Sequence, residues 1–457
     1  MRLGRSVARL SLRHQEDDDV SFSAVFSRAV ALVGGAALWS RRLSQGEHTP
    51  AWGSTPAIPG AKPQGAIPTL KMPTARGWPR GKTPIAAPGL KVNAFATNLD
   101  HPRWIEVLPN GDVLVAEAMS ADRPPRSLFD YAMVSTLRRA DAMGVSANRI
   151  TLLRDADKDG VAEIREVFLG GLNQPFGMAL VGDTFYVGNT DGLVAFPYTR
   201  GATRITARGR QLTSFKPAGH WTRSLLPSPD RQKLYVGVGS LSNIGDYGMD
   251  VEAGRAAIYE YDTASDTIRI FASGLRNPVG MAWEPNTGVL WTVVNERDGL
   301  GDETPPDYLT SVRDGGFYGW PWFYLGPHQD PRHAGKHPEL RDQVLVPDVL
   351  LQSHSASLGM MFYTGTQFPP EYRLQAFAAE HGSWNRARRT GYKVIWAVLK
   401  DGVATGEYVD FMTGLVTPEG NVWGRPVAVT QTQQGALVVS DDGGNCLWRI
   451  RHVSSGT

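Results

Sequence analysis

Cysteine is almost missing from this chain. Cys446 stands alone among 457 residues, which excludes an intramolecular disulfide and any zinc or iron–sulfur centre built on cysteines. A Cys-x-x-Cys-His haem motif is excluded with them. Charge of one sign is not in excess either. The 47 Lys and Arg stand against 45 Asp and Glu, a net charge of +2, so nucleic acid is not an expected partner. No Gly-rich loop follows a strand and opens a helix, which removes support for NAD or ATP binding. No Gly-x-Ser-x-Gly elbow is present. Long hydrophobic runs are lacking: the cleanest, Ala29 to Trp39, is too short to cross a bilayer comfortably.

That run fits the apolar region of a signal peptide, with Arg28 before it. The acidic stretch Glu16 to Asp19 upstream does not suit a signal peptide's basic start, so a signal anchor is the companion reading. Residues 1–43 are therefore expected to be a signal- or anchor-like segment, and the protein periplasmic or secreted. Residues 44–88 are rich in Pro, Gly, Ala and Thr without apolar periodicity, the composition of a linker that need not pack.

What the chain has is glycine (50), proline (31) and tryptophan (13), a composition suited to many short strands joined by turns. From residue 89 a weak repeat runs to the C-terminus. Its copies begin at His101-Pro102-Arg103-Trp104, Gln174-Pro175-Phe176-Gly177-Met178, His220, Asn277-Pro278-Val279-Gly280-Met281, Ser357-Leu358-Gly359-Met360 and Arg425-Pro426-Val427-Ala428. Each leads through a turn into alternating apolar residues, the pattern of half-buried strands. Sheets of this kind that stack radially form a propeller. The expectation is an all-β, six-bladed β-propeller over 89–457. Leu90 to Phe95 would close the last blade and remove two exposed edges. Arg103, Gln174, His220, Arg276, Asn277 and Arg425 would then gather on one face.

Four stretches carry a family resemblance: Gly219-His220-Trp221-Thr222-Arg223-Ser224-Leu225, Gly274-Leu275-Arg276-Asn277-Pro278-Val279-Gly280, Asp314-Gly315-Gly316-Phe317-Tyr318-Gly319-Trp320-Pro321 and Glu380-His381-Gly382-Ser383-Trp384-Asn385-Arg386. Together they resemble the glucose/sorbosone dehydrogenases that use pyrroloquinoline quinone (PQQ), and most of all the sorbosone-type branch. The resemblance implies PQQ- and Ca2+-dependent oxidation of an aldose or aldehyde sugar. It implies His220 as catalytic base and Arg103, Gln174, Arg276, Asn277, His381, Arg386 and Arg425 as cofactor contacts. Cationic side chains suit a cofactor that carries carboxylates, and a neutral histidine suits removal of a hydroxyl proton. With no haem motif, electrons would pass to a separate cytochrome or quinone. The family's cofactor calcium is held partly by carbonyls of a Gly-Pro pair. Arg297-Asp298 stands at that place here, followed by the acidic pair Asp302-Glu303.

A second calcium candidate is Asp155-Ala156-Asp157-Lys158-Asp159-Gly160, with Glu163 and Glu166. It follows the twelve-position EF-hand loop, but its flanks read as strands, so a calcium-stapled hairpin competes with a solvated acidic turn. Two further readings remain for the whole chain. A propeller lactonase could recruit Glu117, Asn189 and Asp441-Asp442 for a metal, and a non-catalytic binding propeller would use none of these residues.

Overall fold

Alternating apolar residues bounded by Gly, Asp and Asn turns give short antiparallel strands. The computed structural model describes residues 58, 60–63, 69, 71–125, 131, 134–135, 137–138 and 142–453. Among the described residues, all but four short strands form six radial sheets, with Ser120–Ala121 paired to Met143–Gly144 and Phe323–Tyr324 to His328–Gln329 outside them. Blade one holds Pro102–Val107, Val113–Glu117, Arg149–Arg154 and Ile164–Leu169. Blade two holds Met178–Val181, Thr184–Asn189, Gly192–Pro197 and Arg210–Ser214, and blade three Arg223–Pro227, Lys233–Val238, Ala257–Asp262 and Thr267–Ser273. Blade four holds Pro278–Trp283, Leu290–Val294, Pro306–Val312 and Val349–Ser353. Blade five holds Ser357–Phe362, Ala376–Glu380, Lys393–Lys400 and Val403–Thr413. Blade six holds Pro426–Gln431, Leu437–Asp441 and Cys446–His452, and its fourth strand is Leu90–Ala96.

The six repeat copies thus mark the six innermost strands. Leu90 pairs with His452 and Ala94 with Trp448, so the first propeller strand closes the last blade, as expected. The first strand of each blade packs on that of the next, and the sixth on the first. Burial falls outward as this geometry requires. Val113–Glu117 is buried throughout, whereas the first four residues of Ile164–Leu169 are exposed. Four antiparallel strands return the chain to the face where the blade began, so all six inner strands start on one face.

The glycine of the repeat has a steric cause. A Cβ on Gly177 would lie 2.4 Å from Leu225 N, one on Gly280 2.5 Å from Met360 N, and one on Gly359 2.6 Å from Ala428 Cα. Each atom belongs to the next blade's inner strand.

The stretch read as a linker that need not pack does pack over its described part, because its backbone finds partners on blades four to six. Lys62 N donates to Leu300 O (2.7 Å), Lys71 N to Trp384 O (2.8 Å) and Arg76 N to Val422 O (2.9 Å). Trp78 Nε1 donates to Asp441 Oδ2 (2.7 Å), and Ile85–Ala86 adds a fifth strand to blade five. Residues 1–57 lie outside the described residues, and with them the signal- or anchor-like segment. No helix among the described residues is long and apolar enough to cross a membrane.

Overpacking a close backbone approach costs about 1–3 kcal/mol. Gly359→Ala is expected to lower the unfolding free energy by about that amount. Gly170→Ala, whose nearest atom would be 3.9 Å away, should change it little. Equal denaturation midpoints for the two variants would refute the blade-contact role.

Candidate active site

His220 enters the site on a loop that only glycine permits. Gly219 has φ +60°, and a Cβ there would lie 2.3 Å from Leu241 O. His220 Nδ1 lies 2.8 Å from Ser240 O. A carbonyl only accepts, so Nδ1 carries the hydrogen and Nε2 keeps its lone pair. Burial, and then the Arg276 guanidinium, push the imidazolium down to about 3, so the ring is neutral at physiological pH.

His220 and Asn277 flank the backbone of Gly239, where a Cβ would lie 2.7 Å from His220 Cβ and 2.2 Å from Asn277 Oδ1. Asn277 Nδ2 donates to Asn295 Oδ1 (3.1 Å); its own Oδ1 is buried without a partner. Arg276 is fixed by Glu296 O (2.7 Å), Asn243 Oδ1 (3.0 Å), Asn243 O (3.1 Å) and Asn295 O (3.3 Å), and reaches Asp298 Oδ2 at 3.4 Å. Trp320 Nε1 donates to the same Asn243 O (2.9 Å). The aromatic stretch around Trp320 therefore braces the site and packs.

A second group gathers where blades five, six and one meet. Asp442, 1% exposed, accepts from Arg103 Nη1 and from His381 Nε2 at 2.8 Å, and pairs with His101 Nε2 at 3.3 Å. Burial opposes its charge, yet His381, His101 and Arg103 hold its carboxyl well below the ordinary range. Arg425 Nη2 donates to His381 Nδ1 at 2.9 Å. A guanidinium only donates, so His381 is neutral with its hydrogen on Nε2. Burial, and next Arg425, push it down to about 3. The Arg103 guanidinium lies over the rings of Phe176 (5.8 Å) and Trp221 (5.6 Å), and Trp221 follows His220 directly. Two guanidinium groups against one carboxylate leave this group net cationic.

The structure brings His220, Arg276 and Asn277 together, and Arg103, His381 and Arg425 together. The other expected contacts have different partners. Gln174 Nε2 donates to Met119 O (2.9 Å). Arg386 turns to Asp302 O (2.7 Å) and the Glu303 carboxylate, because the 383–389 loop crosses the 302–303 turn. Asp302 Oδ2 accepts from Ala387 N (2.9 Å). Arg297 pairs with Asp330 at 2.8 Å. Asp298 O already accepts from Arg297 Nε and Asn243 Nδ2, both at 2.9 Å, and its carboxylate meets His354 Nδ1 at 3.2 Å. The Arg297, Asp298, Asp302 and Glu303 set expected for the cofactor calcium thus does not fit a calcium ion as it stands.

Sequence reading missed His101, Asn243 and His354, and considered Asp442 only as a lactonase ligand. Two of the residues considered for a lactonase metal, Glu117 and Asp441, are engaged by other partners. Glu117 accepts from Asp100 N (2.9 Å) and pairs with Arg149. Asp441 accepts from the indoles of Trp78 (2.7 Å) and Trp448 (3.0 Å). Among the described residues, the metal-suited cluster is Asp155, Asp157, Asp159 and Glu163, with one ligand atom from each within 4.8 Å of the others. Glu166 is outside it. Strand Ile164–Leu169 has begun by then, and its alternation sends Glu166 toward Arg204 (3.6 Å). Arg449 lies against this loop, its Nη1 1.9 Å from where a Gly160 Cβ would be.

Comparison with known proteins bears on the fold and on what the chain is similar to. The family described as TrAA12-like matches residues 140–306. An uncharacterized protein of Borreliella burgdorferi is 30% identical over 234 residues, covering 50% of this chain and 60% of the relative. A pyrroloquinoline quinone-dependent sugar dehydrogenase of Hypocrea jecorina is 27% identical over 268 residues, covering 53% and 57%. The chain thus spans less than two thirds of the length of these curated relatives. The holo form of the pyranose dehydrogenase PQQ domain from Coprinopsis cinerea superposes with a TM-score of 0.65 at 21% identity, over 84% of this chain and all of that one. That likeness shows the fold. In sequence and fold together, the chain is similar to the PQQ-dependent sugar dehydrogenases, with no sorbosone branch set apart among them.

Proposed function

We propose that this protein is a PQQ-dependent dehydrogenase that oxidises an aldose or aldehyde sugar, sorbosone- or glucose-like, with His220 as general base. The observation that carries the reading is the neutral His220, its Nε2 lone pair left unprotonated by the Nδ1 bond to Ser240 O, on the face where Arg276, Arg103 and Arg425 also lie.

The donor set fits PQQ. Its carboxylates need fixed cations, and Arg103 and Arg425 outweigh Asp442 in charge. Arg103 Nε and Asn277 Oδ1 are buried polar atoms without partners, groups that a bound polar ligand can satisfy. When bound, PQQ supplies an ortho-quinone that accepts two electrons. The chain supplies the rest. Arg276, held by backbone carbonyls, offers a fixed positive charge beside His220. His220 takes the substrate hydroxyl proton at Nε2; burial keeps the ring neutral, so that lone pair is unprotonated before the step. Electrons leave to a separate acceptor, a cytochrome or a quinone. The signal- or anchor-like segment supports a periplasmic or secreted location. Calcium enters this reading only at the Asp155–Glu163 loop, as a structural ion.

Dye reduction by cofactor-free protein, titrated with PQQ against aldoses, sorbosone and lactones, tests the function. Saturable, PQQ-dependent sugar oxidation is expected. His220→Asn should lower turnover by about 10²–10⁴-fold with PQQ binding retained. Lactone hydrolysis without PQQ, or an undiminished His220→Asn, would overturn the assignment.

Calcium added to EDTA-treated protein should raise its melting temperature, and Asp159→Asn should abolish the increase. A parent protein indifferent to calcium would leave the loop an acidic turn held by Arg449.

A further inference from the structure

Two arginines behind His220 had no role assigned from the sequence: Arg223 lies within the 219–225 stretch and Arg255 outside all four. Arg255 is 8% exposed and Arg223 fully buried; Glu252 favours the charge of Arg255 and Asp191 that of Arg223, without a direct ion pair to either among the described residues. Burying a guanidinium without a carboxylate is costly unless its donors are satisfied. Here backbone carbonyls satisfy every donor group of Arg255, and Nη1 and Nη2 of Arg223, whose Nε is left without a partner. Arg255 donates through Nε to Gly239 O (2.9 Å) and through Nη1 to Lys216 O (2.9 Å). Its Nη2 reaches Ala218 O (2.7 Å), His220 O (2.9 Å) and Ser240 O (3.3 Å). Arg223 Nη1 donates to His220 O and Thr222 O, both at 2.8 Å.

These carbonyls belong to two segments, 216–222 and 239–240. The first carries His220. The second carries the carbonyl that takes its Nδ1 hydrogen. The turn bearing Arg255 also grips the two residues that follow the second segment, by their amides. Glu252 Oε2 accepts from Leu241 N (2.7 Å), and its Oε1 from Ser242 N (2.8 Å) and Ser242 Oγ (2.6 Å). That turn is closed on itself by Arg255 N donating to Glu252 O (2.9 Å). Ser240 N in turn donates to Arg276 O (2.7 Å), which links the clamp to blade four.

We propose that Arg255 is the positioning residue of this site: by bridging the two segments it fixes His220 in the single tautomer with hydrogen on Nδ1 and lone pair on Nε2. The inference deepens the proposed reaction and rests on that reading for its catalytic meaning. The guanidinium fork is essential, because five carbonyls on two segments need divergent donors, which a lysine ammonium cannot present in one plane. Arg255 acts through His220 and is assigned no contact with substrate or cofactor.

The test uses the cofactor-free full chain. Nitrogen-15 spectra of labelled histidine, with the His220 signal among the ten assigned by its loss in His220→Asn, report the tautomer directly. The parent should show one tautomer, with hydrogen on Nδ1. Arg255→Lys and Arg255→Gln should show both tautomers. In the loaded enzyme, Arg255→Lys should lower kcat about tenfold or more with KM little changed. A single Nδ1–H tautomer in either folded variant would overturn the proposal, since a purely structural role would lower stability without mixing tautomers. In the parent, the Arg255 guanidinium hydrogens should exchange with solvent far more slowly than those of free arginine; exchange at the free rate would also overturn it, whether or not the variants fold. Failure of PQQ-dependent oxidation would leave these spectra unaffected, so the two readings fall separately.

Discussion

The close backbone approach at Gly177, Gly280 and Gly359 is the contact on which the other features depend. At each, the next blade's inner strand passes where a side chain would otherwise begin. The blades can therefore wedge together at a narrow axis, with their inner strands buried on both faces. Ring closure by Leu90–Ala96 on Cys446–His452 holds the wedge shut. Only a closed ring brings Arg103 from blade one within reach of Asp442 from blade six, residues separated by most of the propeller sequence.

Charge burial at the channel follows a second rule. Arg276 and Arg255 are solvated chiefly by backbone carbonyls, whose dipoles compensate a cation without cancelling it. Arg103 and Arg425 share one carboxylate, directly or through His381. Both devices keep net positive charge in a low-dielectric place, where it acts strongly on an anionic ligand. Burial, with these cations second to it, holds the two histidines neutral. The histidines differ in what remains available: both nitrogens of His381 are committed, to Arg425 and Asp442, whereas His220 has only Nδ1 committed. That contrast separates a structural histidine from one able to accept a proton.

The repeats were legible because strand alternation and the Pro-x-Gly-Met pattern are local, and each follows from one blade's contact with the next. The positions of His220, Arg276, Asn277 and Arg425 just ahead of inner strands were legible because each opens or adjoins a repeat copy. Asp442 was not: its role depends on three partners from blades one and five, and no spacing in the sequence brings His101, Arg103 and His381 together. Arg386 lies in the same motif as His381, yet a few residues of loop carry it to Glu303. The Pro- and Gly-rich segment before residue 88 looked unpacked because it has no apolar period. It is held instead by backbone hydrogen bonds and single anchors such as Trp78, which leave no periodic trace.

The same segment bears on how the site loops are held. Lys62 lies against Leu300 and Gly301, Thr69 O accepts from Asn385 Nδ2 (2.7 Å), and Arg389 Nη1 donates to Lys71 O (2.9 Å). Arg386 crosses from the 383–389 loop to Asp302 and Glu303. The 298–303 and 383–389 loops are thus joined to each other and covered from outside by chain that precedes the first blade. Oxygens that a metal would otherwise have to gather are already gathered by Arg386, Ala387, Asn243 and His354. Order at this edge of the site therefore comes from the protein's own cations and amides, with backbone from outside the repeat completing a ring whose blades alone would leave these loops uncovered.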